Sequence, residues 1–360
     1  MVLRDFDSVD ADLQVDWAET ATFERLYRTK KRKTGKLSLS CQKSFTSHRC
    51  GWNYAIQALQ PLHSDRGILF DGYLENSFVW KAYQPGQVKV PYNQPWVGFL
   101  HNPPHMPEWF AYEQSPQRLL KQADWQRSME YCVGLFCLSE YHARWLRECT
   151  SVPVSALIHP TELSVAQFSF DRFVENANKK IVHVGWWLRK LNAIYQLPIA
   201  RDNALGYRKV KLAPKSSADS MAYIAAMEES EKATEELTFR EEWVSNTYEV
   251  DRLKDEEYDR LLCENVVFVD LYDSSANNVV IECIARATPL LVNPLPAVME
   301  YLGEDYPLYF DTLAEAAKKA MDVALIGSAH RYLKTCEVRE KLSAEYFCRS
   351  FEESEVYRCV

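Results

Sequence analysis

Short apolar segments alternate with helical ones along this chain, and the alternation runs through twice. The first round has strand-like segments at 36–42 (KLSLSCQ), 67–70 (GILF), 96–100 (WVGFL), 131–139 (YCVGLFCLS) and 153–160 (PVSALIHP). Helical stretches separate them, such as WNYAIQALQPL and SEYHARWLRE, the latter opened by a Ser N-cap. A weakly patterned connection covers 160–179, and the pattern then restarts at 181–187 (IVHVGWW). It continues through 207–214 (YRKVKLAP), 266–271 (VVFVDL) and 288–293 (TPLLVN), with LYF at 308–310 as a small edge strand. Strand–helix alternation of this kind predicts βαβ units and parallel sheets. At 360 residues the chain is long for one core, so the fold class expected is α/β with two domains.

Composition narrows the function. The net charge is −8, which disfavours general nucleic-acid binding, because phosphate contacts need clustered Lys and Arg. One basic run, Arg28 to Lys36, reads as an exposed, solvated turn before a strand, as a peripheral contact with an anionic membrane, or as a nuclear address. No apolar stretch approaches the length of a membrane span, and the first residues carry no apolar signal core. The 10 cysteines form no CxxC pair and no zinc-spaced Cys/His cluster. They read as reduced cysteines of a cytoplasmic protein. The acidic run over 218–262 reads as the solvated faces of two helices rather than a metal site.

The stretch 258–310 carries the most chemistry. A buried strand, VVFVDL, delivers the polar loop 272–277 at its carboxyl end, where open α/β sheets bind ligands. The loop runs into a helix start rich in Ser and Asn. Its backbone N–H groups and dipole suit a pyrophosphate, with Ser274, Ser275 and Asn277 adding short polar side chains. Glu282 lies four residues after Asn278, one turn up the same face, where a carboxylate can accept two hydrogen bonds from a ribose diol. Singly, these residues also suit plain capping and surface roles.

The order of these segments, with YDRLL before the strand and ATPLLVN and PAVMEYLG after the helix, resembles the donor half of GT-B glycosyltransferases. IVHVGWWLRK is similar to the first strand of that donor half, and 340–353 (EKLSAEYFCRSFEE) to the family's last helix. The resemblance implies two Rossmann-like domains facing across a cleft, with the C-terminal helix crossing back to the N-terminal domain. It implies an acceptor domain over 1–165 plus 338–360 and a nucleotide-sugar donor domain over 175–337. Gly185 would let the backbone approach the donor. Arg189 and Lys190 would neutralise its diphosphate, and Glu282 would hold the ribose. The expected partners are a nucleotide-sugar donor and a carbohydrate or lipid-linked acceptor, with no cofactor and no metal. Many retaining members carry a carboxylate eight positions before the ribose-binding Glu. Here that position is Ser274, so the stereochemical course stays open.

The first half is expected to hold the acceptor and the base. Asp71 and Glu75 follow one strand and His101 follows another, so all three are candidate catalytic groups. By the resemblance His101 leads, and His105, Trp109 and Phe110 are candidate cleft residues. Two other readings fit the same scaffold: an epimerase acting on nucleotide sugars, and a non-catalytic sugar- or nucleotide-binding protein. No GxGxxG follows any strand, which argues against a dinucleotide-dependent dehydrogenase.

Overall fold

The computed structural model describes residues 36–40, 51–83, 85–213, 218–251 and 253–360, the side chains of 218–220 excepted. The basic run before Lys36, the loop after residue 42, and Cys41 and Cys50 lie outside the described residues.

Among the described residues, ten strands form two parallel five-stranded sheets. The first sheet runs in the order β1 (Leu37–Ser38), β2 (Ile68–Asp71), β3 (Trp96–Phe99), β4 (Cys132–Cys137), β5 (Val154–Ala156). The second contains β6 (Lys180–His183), β7 (Arg208–Leu212), β8 (Thr247–Val250), β9 (Val266–Val269) and β10 (Leu290–Val292), in the order β10-β9-β6-β7-β8. Both sheets are covered by helices, which is why β3 and β9 are buried at every position and read as unbroken apolar runs.

The helices that shape the site are α1 (Trp52–Ala58), α2 (Glu140–Cys149), α3 (Ala218–Thr234), α4 (Asp255–Glu264), α5 (Asn278–Arg286), α6 (Pro296–Leu302), α7 (Ala344–Glu353) and α8 (Glu355–Cys359). As expected, α7 and α8 cross back to the first sheet. Phe351 stacks on Phe136 of β4 with ring centroids 4.4 Å apart, and Phe347, Val356 and Tyr357 join the same core as Trp52 and Phe70. The segment 308–310 contributes only an isolated bridge, Tyr309 to Val292.

One strand departs from the sequence reading. The acidic run does form α3 and α4, but β8 lies between them at the sheet edge. Its residues are half or fully exposed, so TYEV carries no apolar run to betray it. The eight described cysteines are free, and Cys137, Cys263, Cys283 and Cys348 are buried. Among the described residues, no helix is long and apolar enough to cross a membrane.

Candidate functional site

The second sheet reverses its strand order between β6 and β9. In open α/β sheets the connections diverge at such a reversal, and ligands bind there at the carboxyl ends of the strands. Two segments occupy that edge: 184–190 after β6 and 270–277 after β9.

Arg189 joins them. Its Nη2 donates to Asn277 Oδ1 at 3.1 Å and its Nη1 to the Trp187 carbonyl at 2.6 Å. Asn277 is also the N-cap of α5, where Oδ1 accepts from the amides of Val279 and Val280. Two amides expected to face an anion are therefore held by the cap itself, with a guanidinium beside it. Arg189 is buried, and its Nε meets no partner among the described residues. Burial pulls its pKa down to about 10.

Gly185 has φ +81, and a Cβ there would lie 3.0 Å from Arg189 Nε and Nη2. The glycine thus serves twice, taking a left-handed conformation and leaving room for the guanidinium. Gly185→Ala is expected to lower stability by about 1–3 kcal/mol, read as a reduced urea midpoint. An unchanged midpoint would show that Arg189 moves aside without penalty.

Lys190 is already paired, with Nζ 2.9 Å from Asp270 Oδ1 and 5.9 Å above the Tyr272 ring. Ser275 Oγ lies 2.9 Å from His142 Nδ1, and the Ser274 amide donates to Asp273 Oδ1. Asn278 is exposed, whereas Glu282, one turn further on, is buried. Tyr258 donates to Glu282 Oε2 at 2.7 Å. Arg286, wholly buried, stands 3.8 Å from the same oxygen and pairs with Asp259. Glu282 is thus the outer member of a buried charged network rather than a surface carboxylate.

Asp273, which the sequence reading passed over, ties the two halves together. Its carboxylate accepts from the His105 amide at 2.7 Å and from the Tyr141 hydroxyl. Glu300, on α6, caps α2 by accepting from the amides of Glu140 and Tyr141. Tyr301 donates to the Leu138 carbonyl. An apolar cluster of Met106, Phe110, Leu188 and Leu191 lies beside these contacts, and Trp109 meets Tyr272 edge-on. Tyr272 donates in turn to Glu231, which also accepts twice from Asn192. Glu231 is 1% exposed, an exception to the solvated-face reading of its helix α3.

The first-half candidates sit at the carboxyl ends of β2 and β3. Asp71 accepts from the Tyr92 hydroxyl at 2.7 Å and from the Tyr73 amide; burial raises its pKa. Glu75 accepts from the amides of His101 and Asn102. His101 Nε2 lies 2.9 Å from the Gly72 carbonyl, so Nε2 carries the proton and Nδ1 is the acceptor. Its ring meets Trp52 and Tyr73 edge-on, and burial pulls its pKa down to about 3. Of the three, only His101 retains partial exposure. Among the described residues no three His, Cys, Asp or Glu side chains gather as metal ligands would.

Two facing parallel-sheet units, the second in classic doubly-wound order, with a closing helix returned to the first, make up the GT-B fold. Solved structures with this architecture are similar to the chain along most of its length. A trehalose-6-phosphate synthase, OtsA, matches at 16% identity with TM-score 0.52, over 85% of this chain and 76% of that one. An alpha,alpha-trehalose-phosphate synthase (UDP-forming) from Burkholderia xenovorans, in complex with glucose-6-phosphate, matches at 16% identity with TM-score 0.51, over 84% and 76%. An E. coli structure bound with UDP-2-fluoro glucose matches at 16% identity with TM-score 0.50, over 83% and 76%. No family model matches the chain, and no curated protein sequence does. At this identity the likeness defines the fold.

Proposed function

We propose that this chain transfers a glycosyl group from a nucleoside-diphosphate sugar to an acceptor hydroxyl, without a metal. The observation that carries the reading is Arg189. It is a buried guanidinium with an unfilled N–H, set beside the start of α5 at the strand-order reversal. Among the described residues Arg189 stands in no close ion pair, although the Glu282 charge favours its ionised form, and an incoming anion would stabilise it further. A diphosphate there would also meet Ser274, Ser275 and Asn278, with Gly185 keeping the backbone low and Lys190 nearby. Glu282, steadied by Tyr258, would accept from the ribose diol.

The proposed division of labour assigns 175–337 to the donor, and 1–165 with 338–360 to the acceptor. In the transfer, the bond from C1 of the sugar to the diphosphate oxygen breaks and its electron pair leaves with the diphosphate. Arg189 and Lys190 stabilise that charge. The acceptor oxygen bonds to C1, and its proton passes to a base. His101 Nδ1 fits this role, since the ring is neutral at physiological pH. Asp71 and Glu75 fit it less well, being sealed from solvent.

The structural neighbours favour a uridine diphosphate sugar as donor and a sugar phosphate as acceptor, since one carries UDP-2-fluoro glucose and another glucose-6-phosphate. The free cysteines suit a reducing compartment. A second reading, sugar-nucleotide binding without transfer, is favoured by the low basicity of His101.

A thermal-shift panel of UDP, GDP and dTDP tests the donor site. A nucleotide at about 100 times its Kd should add about 2.7 kcal/mol of stability. We expect UDP to give the largest rise in Tm, and silence from every nucleotide would overturn the reading. Transfer from UDP-glucose to a sugar phosphate then separates catalysis from binding alone.

A further inference from the structure

Glu75 is 0% exposed, which removes it from direct contact with any substrate, yet its contacts are directed at the site. Oε1 accepts from two consecutive amides, His101 at 2.8 Å and Asn102 at 2.7 Å. Those amides begin the loop that carries the His101 ring and, through the His105 amide, reaches Asp273 of the other half. Asn102 extends the hold, its side chain donating to the Gln114 carbonyl. Oε2 meets no partner among the described residues.

Among the described residues, the titratable groups that face Glu75 offer no positive charge. They are Asp71 at the end of β2, the Tyr73 phenol and the Cys137 thiol on β4. Burial raises the pKa of Asp71, Tyr73 and Cys137 and keeps His101 neutral. Among the described residues, backbone amides are therefore what compensates an ionised Glu75: those of His101 and Asn102, with its own beside them.

We propose that Glu75 is a positioning residue, whose ionised carboxylate clamps the first two amides of the 101–105 loop and so fixes the His101 ring. The inference rests on the transferase reading only where it makes His101 the base. The clamp itself is a property of the fold. A carboxylate accepts amide hydrogen bonds more strongly than a neutral carboxylic acid does. Ionisation therefore tightens the loop, and protonation slackens it.

Burial pushes the Glu75 pKa up to about 7, so the change falls in the neutral range. The sign for global stability is opposite to that for the loop. From the ordinary value of 4.5 up to about 7, the folded form binds more protons than the unfolded one. This group's contribution to stability thus falls as pH rises through that window, while the local clamp strengthens.

Amide hydrogen exchange tests the clamp without any substrate. In the wild-type protein, corrected for intrinsic rates, protection of the His101 and Asn102 amides should rise about tenfold from roughly pH 5.5 to 8.5. Amides in the centre of β4 serve as the internal reference. In Glu75→Gln, which keeps an acceptor oxygen but cannot ionise, protection should stay flat. Wild-type protection that tracks the reference across the range would overturn the proposal. So would a Gln variant that keeps the rise. The wild-type titration stands on its own if the variant folds poorly. A positive exchange result holds even if no nucleotide binds, so failure of the clamp and failure of the transferase reading are told apart. If transfer is detected, kcat should follow the exchange midpoint while KM for the donor stays level.

Discussion

Arg286→Met will lower folding stability by about 3–5 kcal/mol. Arg286 is wholly buried on α5, between Asp259 of α4 and Glu282. Methionine fills much of the same space but leaves two buried carboxylates without their cation. Each then lies buried without the charge that offset its desolvation, Glu282 keeping the Tyr258 hydrogen bond. The loss should appear as a lower guanidinium midpoint and a fall in Tm. A change below about 1 kcal/mol, within the range of ordinary substitutions, would mean that the network relaxes or admits water.

Glu282→Gln should weaken UDP binding by about two orders of magnitude while costing less stability than Arg286→Met. Two hydrogen bonds from a ribose diol to a carboxylate are charge-assisted and contribute about 1.5–3 kcal/mol each. Glutamine can accept the Tyr258 hydrogen bond but gives up the charge and one acceptor. Titration calorimetry with UDP measures the effect directly. Wild-type affinity in the variant would remove Glu282 from the donor site. The nucleotide would then have to be held through Arg189 and the start of α5. A paired loss of affinity and of fold would instead assign Glu282 to the core alone, which the urea midpoint of the same sample distinguishes.

The parts of the fold that were legible in the sequence are those where burial is total. VVFV and WVGF are apolar at every position because both faces of each strand are covered, and such runs stand out. TYEV of β8 was missed because an edge strand with exposed Tyr248 and Glu249 resembles the acidic helices around it. The site divides in a similar way. Gly185 follows from the family resemblance of IVHVGWWLRK and Glu282 from its place one turn after Asn278; the structure gives the first a positive φ beside Arg189 and buries the second. Arg189 meets Asn277 as well, although that meeting covers part of the helix start. Asp273, Glu231 and Tyr258 were not singled out, since their roles depend on partners 168, 41 and 24 positions away. No local pattern encodes such contacts. Asp71 and Glu75 were legible as carboxylates after a strand, but not as carboxylates turned inward, because Tyr92 and the 101–102 amides that claim them arrive later in the chain.

The return of α7 and α8 to the first sheet has a consequence for how the protein is made. Ser155 of β5 meets the Val356 amide 201 positions later, and Phe136 waits for Phe351. While the ribosome is still making the second half, α1 alone covers that face of the first sheet, and Phe136 and Phe70 still lack Phe351. Apolar surface exposed at that stage is the kind that promotes aggregation of folding intermediates. The core of the first sheet is completed only when these last helices close over it.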